Sequence, residues 1–204
     1  MNNVKKTDKT DQVEIRLGLP QRYRRQAAEL CYETFRQKFE PILDSPEHGV
    51  AILETGLNPN LILSAVQQDQ LAGMVGLEYD DQYFFDPKCT IFVGEFGWLR
   101  GLIKMILFVP FAHHQHEGDL TIGAIAVSPK MQGQGIGTKL LRAVFDYAST
   151  QKLQSISLEV VDTNPGTQRL YERMGFIATK TRHYPYLKRL MGFSAATTMI
   201  KEIQ

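Results

Sequence analysis

The sequence predicts an α+β (α/β) domain on a mixed central sheet of about six to seven strands, with helices on both faces. Three observations lead there. Asp119 to Leu141 reads as an apolar strand, a glycine turn and an amphipathic helix. A second apolar strand, Ser155 to Val161, follows, and a strand–helix–strand unit makes a right-handed parallel crossover. Upstream, Leu61–Val66 and Leu71–Tyr79 flank the polar turn Gln67-Gln68-Asp69-Gln70, which predicts an antiparallel hairpin. A chain of 204 residues suits one domain, placed here at 13–204, since domains usually run ~100–200 residues.

The elements follow in order. Met1 to Gln12 is polar and mixed in charge, without the apolar core of a signal peptide, and is expected to be a disordered tail. Val13 to Leu17 alternates and reads as the first strand. Pro20 suits the first turn of a helix that carries Tyr23, Ala27, Leu30, Cys31, Thr34 and Phe35 at helical spacing and is closed by Pro41. Arg22, Arg24 and Arg25 lie mostly off that face and read as solvated surface. Pro46 to Gly56 predicts a short second helix. After the hairpin, Asp80 to Thr90 is a loop containing Pro87.

Ile91 to Phe111 is strongly apolar, with Arg100 and Lys104 four apart on one helix face. Lys104 and Pro110 interrupt it before the ~20 apolar residues that a membrane span needs. We read an added helix within an insertion at 91–116. A core or lid element ranks first, a homodimer contact second and an interfacial membrane helix third. His113, His114 and His116 follow beside Glu117. Their spacing matches no zinc pattern, so a surface loop is expected rather than a metal site.

Beyond the second core strand, Asn164 is a helix cap and Pro165 the first helical residue. Leu170, Tyr171 and Met174 continue that helix and Gly175 ends it. Phe176–Thr181 and Thr197–Ile203 read as the last strands. The long loop between them, Tyr184 to Ala196, is expected to face a substrate. The formal net charge of +1 argues against a general nucleic-acid partner. Two cysteines, Cys31 and Cys89, form neither a disulfide framework nor a metal set, so a reducing, cytoplasmic setting is expected.

The turn after Val127 carries the chemistry. Glycines at 133, 135 and 137 precede a helix whose first amides have no partner within it and lie at the positive end of its dipole. Such a bend is an anion cradle suited to a diphosphate. The dinucleotide fingerprint fails because position 138 is Thr, and the Walker order fails because Lys139 follows Thr138. What fits is Gln/Arg-x-x-Gly-x-Gly/Ala, through Gln132, Gly135 and Gly137, preceded by Val127 and Pro129 and followed by Leu140 and Leu141. This run resembles the acetyl-CoA signature of the GNAT superfamily of N-acetyltransferases. Asn164, Leu170, Tyr171, Gly175 and Phe176 resemble the family's usual ending. The close resemblance covers Asp119 to Thr181.

The resemblance implies a GNAT fold with a splayed pair of parallel core strands and acetyl-CoA as co-substrate. It implies that the amides of Gln132, Gly133, Gln134, Gly135, Ile136, Gly137 and Thr138 hold the CoA diphosphate. Ala126, Val127 and Asn164 would contact the pantetheine arm, and Tyr171 would protonate the leaving thiolate. Relatives often carry a glutamate on the core strand where this chain has Thr121 and Ile122. That leaves Asp119 and Glu117 as the acids available to take the amine proton, directly or through water. The acceptor is a small-molecule or peptide amine. A non-catalytic acyl-CoA-binding module of the same fold is the alternative.

Overall fold

The computed structural model describes residues 12–86, 88–112, 119–184, 188 and 192–203, without the side chains of 107–112. The strands are β1 (Glu14–Leu17), β2 (Ile62–Gln67), β3 (Gln70–Glu78), β4 (Leu120–Val127), β5 (Ser155–Val161), β6 (Ile177–His183) and β7 (Ala195–Glu202). The helices are α1 (Arg24–Thr34), α2 (Arg36–Phe39), α3 (Pro46–Gly56), α4 (Cys89–Phe96), α5 (Trp98–Ala112), α6 (Ile136–Thr150) and α7 (Pro165–Arg173). They build a 7-stranded sheet in the order β1-β2-β3-β4-β5-β7-β6. All neighbours are antiparallel except β4 and β5, which run parallel on either side of the α6 crossover. This is the expected mixed sheet with a parallel core pair.

Local chemistry sets most of the element ends. Gln68 and Asp69 take left-handed φ values of 50° and 57°, which closes the β2–β3 hairpin at the predicted polar turn. Ser45 caps α3 by accepting from the His48 amide, and Pro46 fills its first position. Asn164 does the same for α7, its side chain accepting from the Thr167 amide at 3.2 Å.

The apolar segment departs from expectation. It is two helices rather than one, because Gly97 takes φ 78° and turns the chain between α4 and α5. Arg100 and Lys104 do share a face: both reach Asp44, at 3.1 and 2.7 Å, and Lys104 also donates to the Ile42 carbonyl. No described helix is long and apolar enough to cross a membrane. The tail before Gln12 and the loop with His113, His114, His116 and Glu117 lie outside the described residues.

Each face of the sheet has its own core. On one face Tyr23, Tyr32, Ile52, Leu53 and Phe92 from α1, α3, α4 and their connections pack on Ile62, Met74, Ala124 and Ala126. On the other, Leu140, Leu141, Val144 and Ala148 of α6 cover Leu63, Val75, Leu77, Leu120 and Ile156. The α6 residues repeat every three or four positions, so one stripe of the helix is apolar and lies flat on the strands. Leu140 is 0% exposed and Leu99, on the outer face of α5, is 63% exposed. Leu140→Ala is therefore expected to cost ~2–5 kcal/mol in urea unfolding, and Leu99→Ala to stay within about 0.5 kcal/mol of the parent.

Candidate active site

The cleft begins where the parallel pair comes apart. β4 and β5 are in register only from Leu120–Ile122 against Ile156–Leu158. β4 continues to Val127 and β5 to Val161 without further pairing between them. A bulge helps to turn β4: Gly76 lies opposite Ala124 and Leu77 opposite Ile122, which leaves Gly123 as the extra residue. From Gly123 to Val127, β4 is hydrogen-bonded to β3 on one edge and, among the described residues, has no strand along the other.

At its open end the chain bends into α6. Ser128 donates to the Ala72 carbonyl at 2.9 Å, Met131 to Ser128 at 2.8 Å, and the Gln132 side chain to the Val127 carbonyl at 3.2 Å. Gly133 and Gly135 then take φ 77° and 76°, a region costly for residues with a Cβ. Space is open around both, with nothing within 4 Å of where a side chain would start. The first backbone bond of α6 runs from Lys139 to the Gly135 carbonyl. Among the described residues, none of the amides from Gln132 to Thr138 donates to another group of the chain. They stand at the positive end of a 15-residue helix.

The bend, the parted strands and α7 enclose a cleft of about 650 Å³. Of the residues expected to hold a CoA-type ligand, Ala126, Val127, Gln132, Gly133, Gly135, Ile136, Gly137, Thr138 and Asn164 line it, while Gln134 does not. Tyr171 lines it too, 3% exposed and packed on Phe176 with ring centres 5.8 Å apart. Burial pushes its phenol pKa up, so the hydroxyl keeps its proton.

Of the two expected acids, the one described stands elsewhere. Asp119 lies at the far end of β4, outside the cleft, and its Oδ2 accepts from the Gln154 amide at 2.6 Å. It fastens the turn before β5. Glu117 lies outside the described residues.

Four further groups stand at or beside the cleft: Phe193, from the loop expected to face a substrate, and three that sequence reasoning did not single out. Glu159 of β5 lines it and receives Arg182 Nη1 at 3.2 Å. Lys38 of α2 lines it from the other wall, its ammonium 5.5 Å from the Phe35 ring centre and 5.8 Å from that of Phe193. Burial lowers the Lys38 pKa, and Glu159 pulls it the other way. Phe193 is held there by Asp162, whose Oδ2 accepts from Ser194 Oγ at 2.6 Å. The fourth is Glu78, at the end of β3. It is 1% exposed, and among the described residues neither of its carboxyl oxygens has a hydrogen-bond partner. Its one sequence signal was an acid closing an otherwise apolar strand.

The sequence and the fold match known proteins. A family model for the acetyltransferase (GNAT) family matches residues 28–176, and the chain belongs to this family. It is 30% identical over 134 residues to the streptothricin acetyltransferase of Streptomyces lavendulae, covering 66% of each chain. It is 33% identical over 69 residues to a [ribosomal protein bS18]-alanine N-acetyltransferase of Haemophilus ducreyi, covering 33% of this chain and 48% of that one. Against the spermine/spermidine N(1)-acetyltransferase of Bacillus subtilis the figures are 26% over 95 residues, 46% and 60%. The chain thus spans about two thirds or less of the length of these relatives. Among solved structures, an N-acetyltransferase from Staphylococcus aureus Mu50 superposes with a TM-score of 0.67 over 92% of this chain and 100% of that one, at 17% identity, a likeness of fold.

Burial raises the Glu78 carboxyl from an ordinary 4.5 to about 8. The folded chain then binds that proton more tightly than the unfolded chain, so the stability it contributes is full below pH ~4.5 and lost as pH rises through about 8. Glu78→Gln is neutral throughout. Thermal melts are expected to show the variant gaining on the parent between pH 5 and pH 9, with its advantage at the alkaline end.

Proposed function

We propose that the protein is an acetyl-CoA-dependent N-acetyltransferase that moves an acetyl group to a primary amine by direct attack on the thioester. The observation that carries this reading is the row of unpartnered amides from Gln132 to Thr138, set at a helix start beside an unpaired strand edge. In this reading the amides take the CoA diphosphate, replacing water with fixed donors. The pantetheine arm lies along β4 as an added strand, bonded at Ala126 and Val127, with Asn164 alongside. The thioester then falls in the gap between the parted strands.

Attack requires a neutral amine, stabilisation of the oxyanion and a proton for the thiolate. The free backbone amide near Val127 serves the oxyanion. Tyr171 serves the thiolate, because its protonated hydroxyl lies in the same cleft. The acceptor enters from the wall formed by Lys38, Phe35 and Phe193. The relatives are named for streptothricin, for an alanine of ribosomal protein bS18 and for spermine or spermidine, and we place this protein's acceptor among small-molecule or peptide amines.

The test is thiol release from acetyl-CoA with a panel of spermidine, phenethylamine and an alanyl peptide. Turnover with at least one amine is expected, and CoA binding without turnover of any would leave a non-catalytic acyl-CoA-binding module. Tyr171→Phe is expected to lower kcat by about 10²-fold or more while CoA affinity changes less than about threefold. Equal loss of both would remove Tyr171 as the proton donor.

A further inference from the structure

Glu78 is a buried carboxyl with no visible structural employment. Among the described residues it makes no ion pair and no hydrogen bond, although burying such a group unpaired is costly. Its surroundings explain where it points. A Cβ built on Gly123 would lie 2.5 Å from Glu78 Oε1 and 2.6 Å from Phe84. The carboxyl therefore occupies the space that a side chain at Gly123 would fill. Gly123 is both the bulged residue of β4 and part of the cleft wall, one residue past the point where β4 and β5 separate. Glu78 does not itself line the cleft; Gly123, beside which its carboxyl lies, does so at the place where β4 loses its partner.

We propose that Glu78 is the group that takes the proton from the acceptor ammonium, acting past Gly123 directly or through one water. The inference rests on the acetyltransferase reading and names the base that it lacks. The proton balance is simple. The Glu78 carboxylate removes one proton from the ammonium nitrogen and later yields it to solvent. The freed lone pair forms the N–C bond at the thioester carbonyl. When the adduct collapses the C–S bond breaks, the sulfur gains a proton from Tyr171, and the second proton lost by the nitrogen restores the Tyr171 hydroxyl by way of solvent.

The electrostatic setting suits this role. Facing Glu78 are Gly123 and Thr121 of β4 and Phe84 of the following loop, none of them charged. The ionisable groups on the elements of that face are engaged elsewhere or distant. Lys38 of α2 lies on rings, His48 of α3 on Phe96, and Lys104 of α5 on Asp44. Glu54 of α3 takes Arg25, Asp80 and Asp81 sit in the turn after β3, Asp119 holds Gln154, and burial is the sole cause of the Glu78 shift to about 8. A base near that value matches an alkylammonium far better than an ordinary carboxylate does. Glu159 lies nearer open solvent and already receives Arg182.

The test compares wild type, Glu78→Gln and Gly123→Ala with whichever panel amine wild type turns over fastest. For wild type, kcat/KM is expected to rise with pH to a plateau above about 8. Glu78→Gln should lose about 10²-fold or more at the plateau and lose the ascending limb, with CoA affinity by calorimetry unchanged. Gly123→Ala keeps the acid but puts a methyl into the space its carboxyl occupies and so displaces it, and should lose rate by a similar factor while still binding CoA. Superimposable profiles for wild type and Glu78→Gln overturn the proposal and leave the acetyltransferase reading intact. No turnover by wild type with any amine overturns that reading, and the base with it. If Glu78→Gln fails to fold, Gly123→Ala decides: full activity with an unchanged limb refutes the role.

Discussion

The structure turns on two parallel strands that pair briefly and then part. Each remains tied to the rest of the sheet, β4 to β3 and β5 to β7, so the separation leaves the sheet intact around it. It does leave backbone groups along β4 without strand partners just before a helix whose first amides are also free. Backbone donors and acceptors without chain partners must be hydrated or bound by a ligand. Everything proposed for the cleft, from the diphosphate grip to the position of the thioester, follows from that opening and from the bend that Gly133 and Gly135 allow.

The two sides of the opening differ in kind. Towards α6 and α7 it offers neutral donors: amides, the Asn164 side chain and a phenol that burial keeps protonated. Towards α1 and α2 it offers ionisable groups in unusual settings, an ammonium against two rings and, behind Gly123, a carboxyl held in its neutral form over much of the physiological range. The first side suits an anionic group held without specificity for its acyl load, the second a reaction in which a proton must move. Thr121 and Ser157, whose hydroxyls meet at 2.8 Å, tie the strands one pair before the last, which is Ile122 with Leu158.

Much of this was legible in residue order because local chemistry governed it. Pro46, Asn164 and Pro165 fix helix starts by capping, the polar Gln67–Gln70 turn fixes a hairpin, and the α6 stripe fixes which way that helix faces. The glycine bend was legible because the grip proposed for it is carried by main chain. The helix break at Gly97 was not, since the surrounding apolar run supports one helix as well as two and packing of α4 on α5 decides. Glu78 was missed for a related reason. An acid at a strand end normally reaches water, and only the tertiary placement of Phe84 and the bulge at Gly123 bury it. Asp119 drew attention by being near the motif in sequence, but a strand rises ~3.3 Å per residue, so the length of β4 carries it away from the bend.

The most direct measurement is an amide-resolved NMR titration of the intact protein with CoA. The account predicts that the largest shifts fall on the backbone amides from Gln132 to Thr138 and on Ala126 and Val127, with slowed hydrogen exchange at the same positions. Saturable CoA binding that left those amides unmoved and perturbed another region would contradict it.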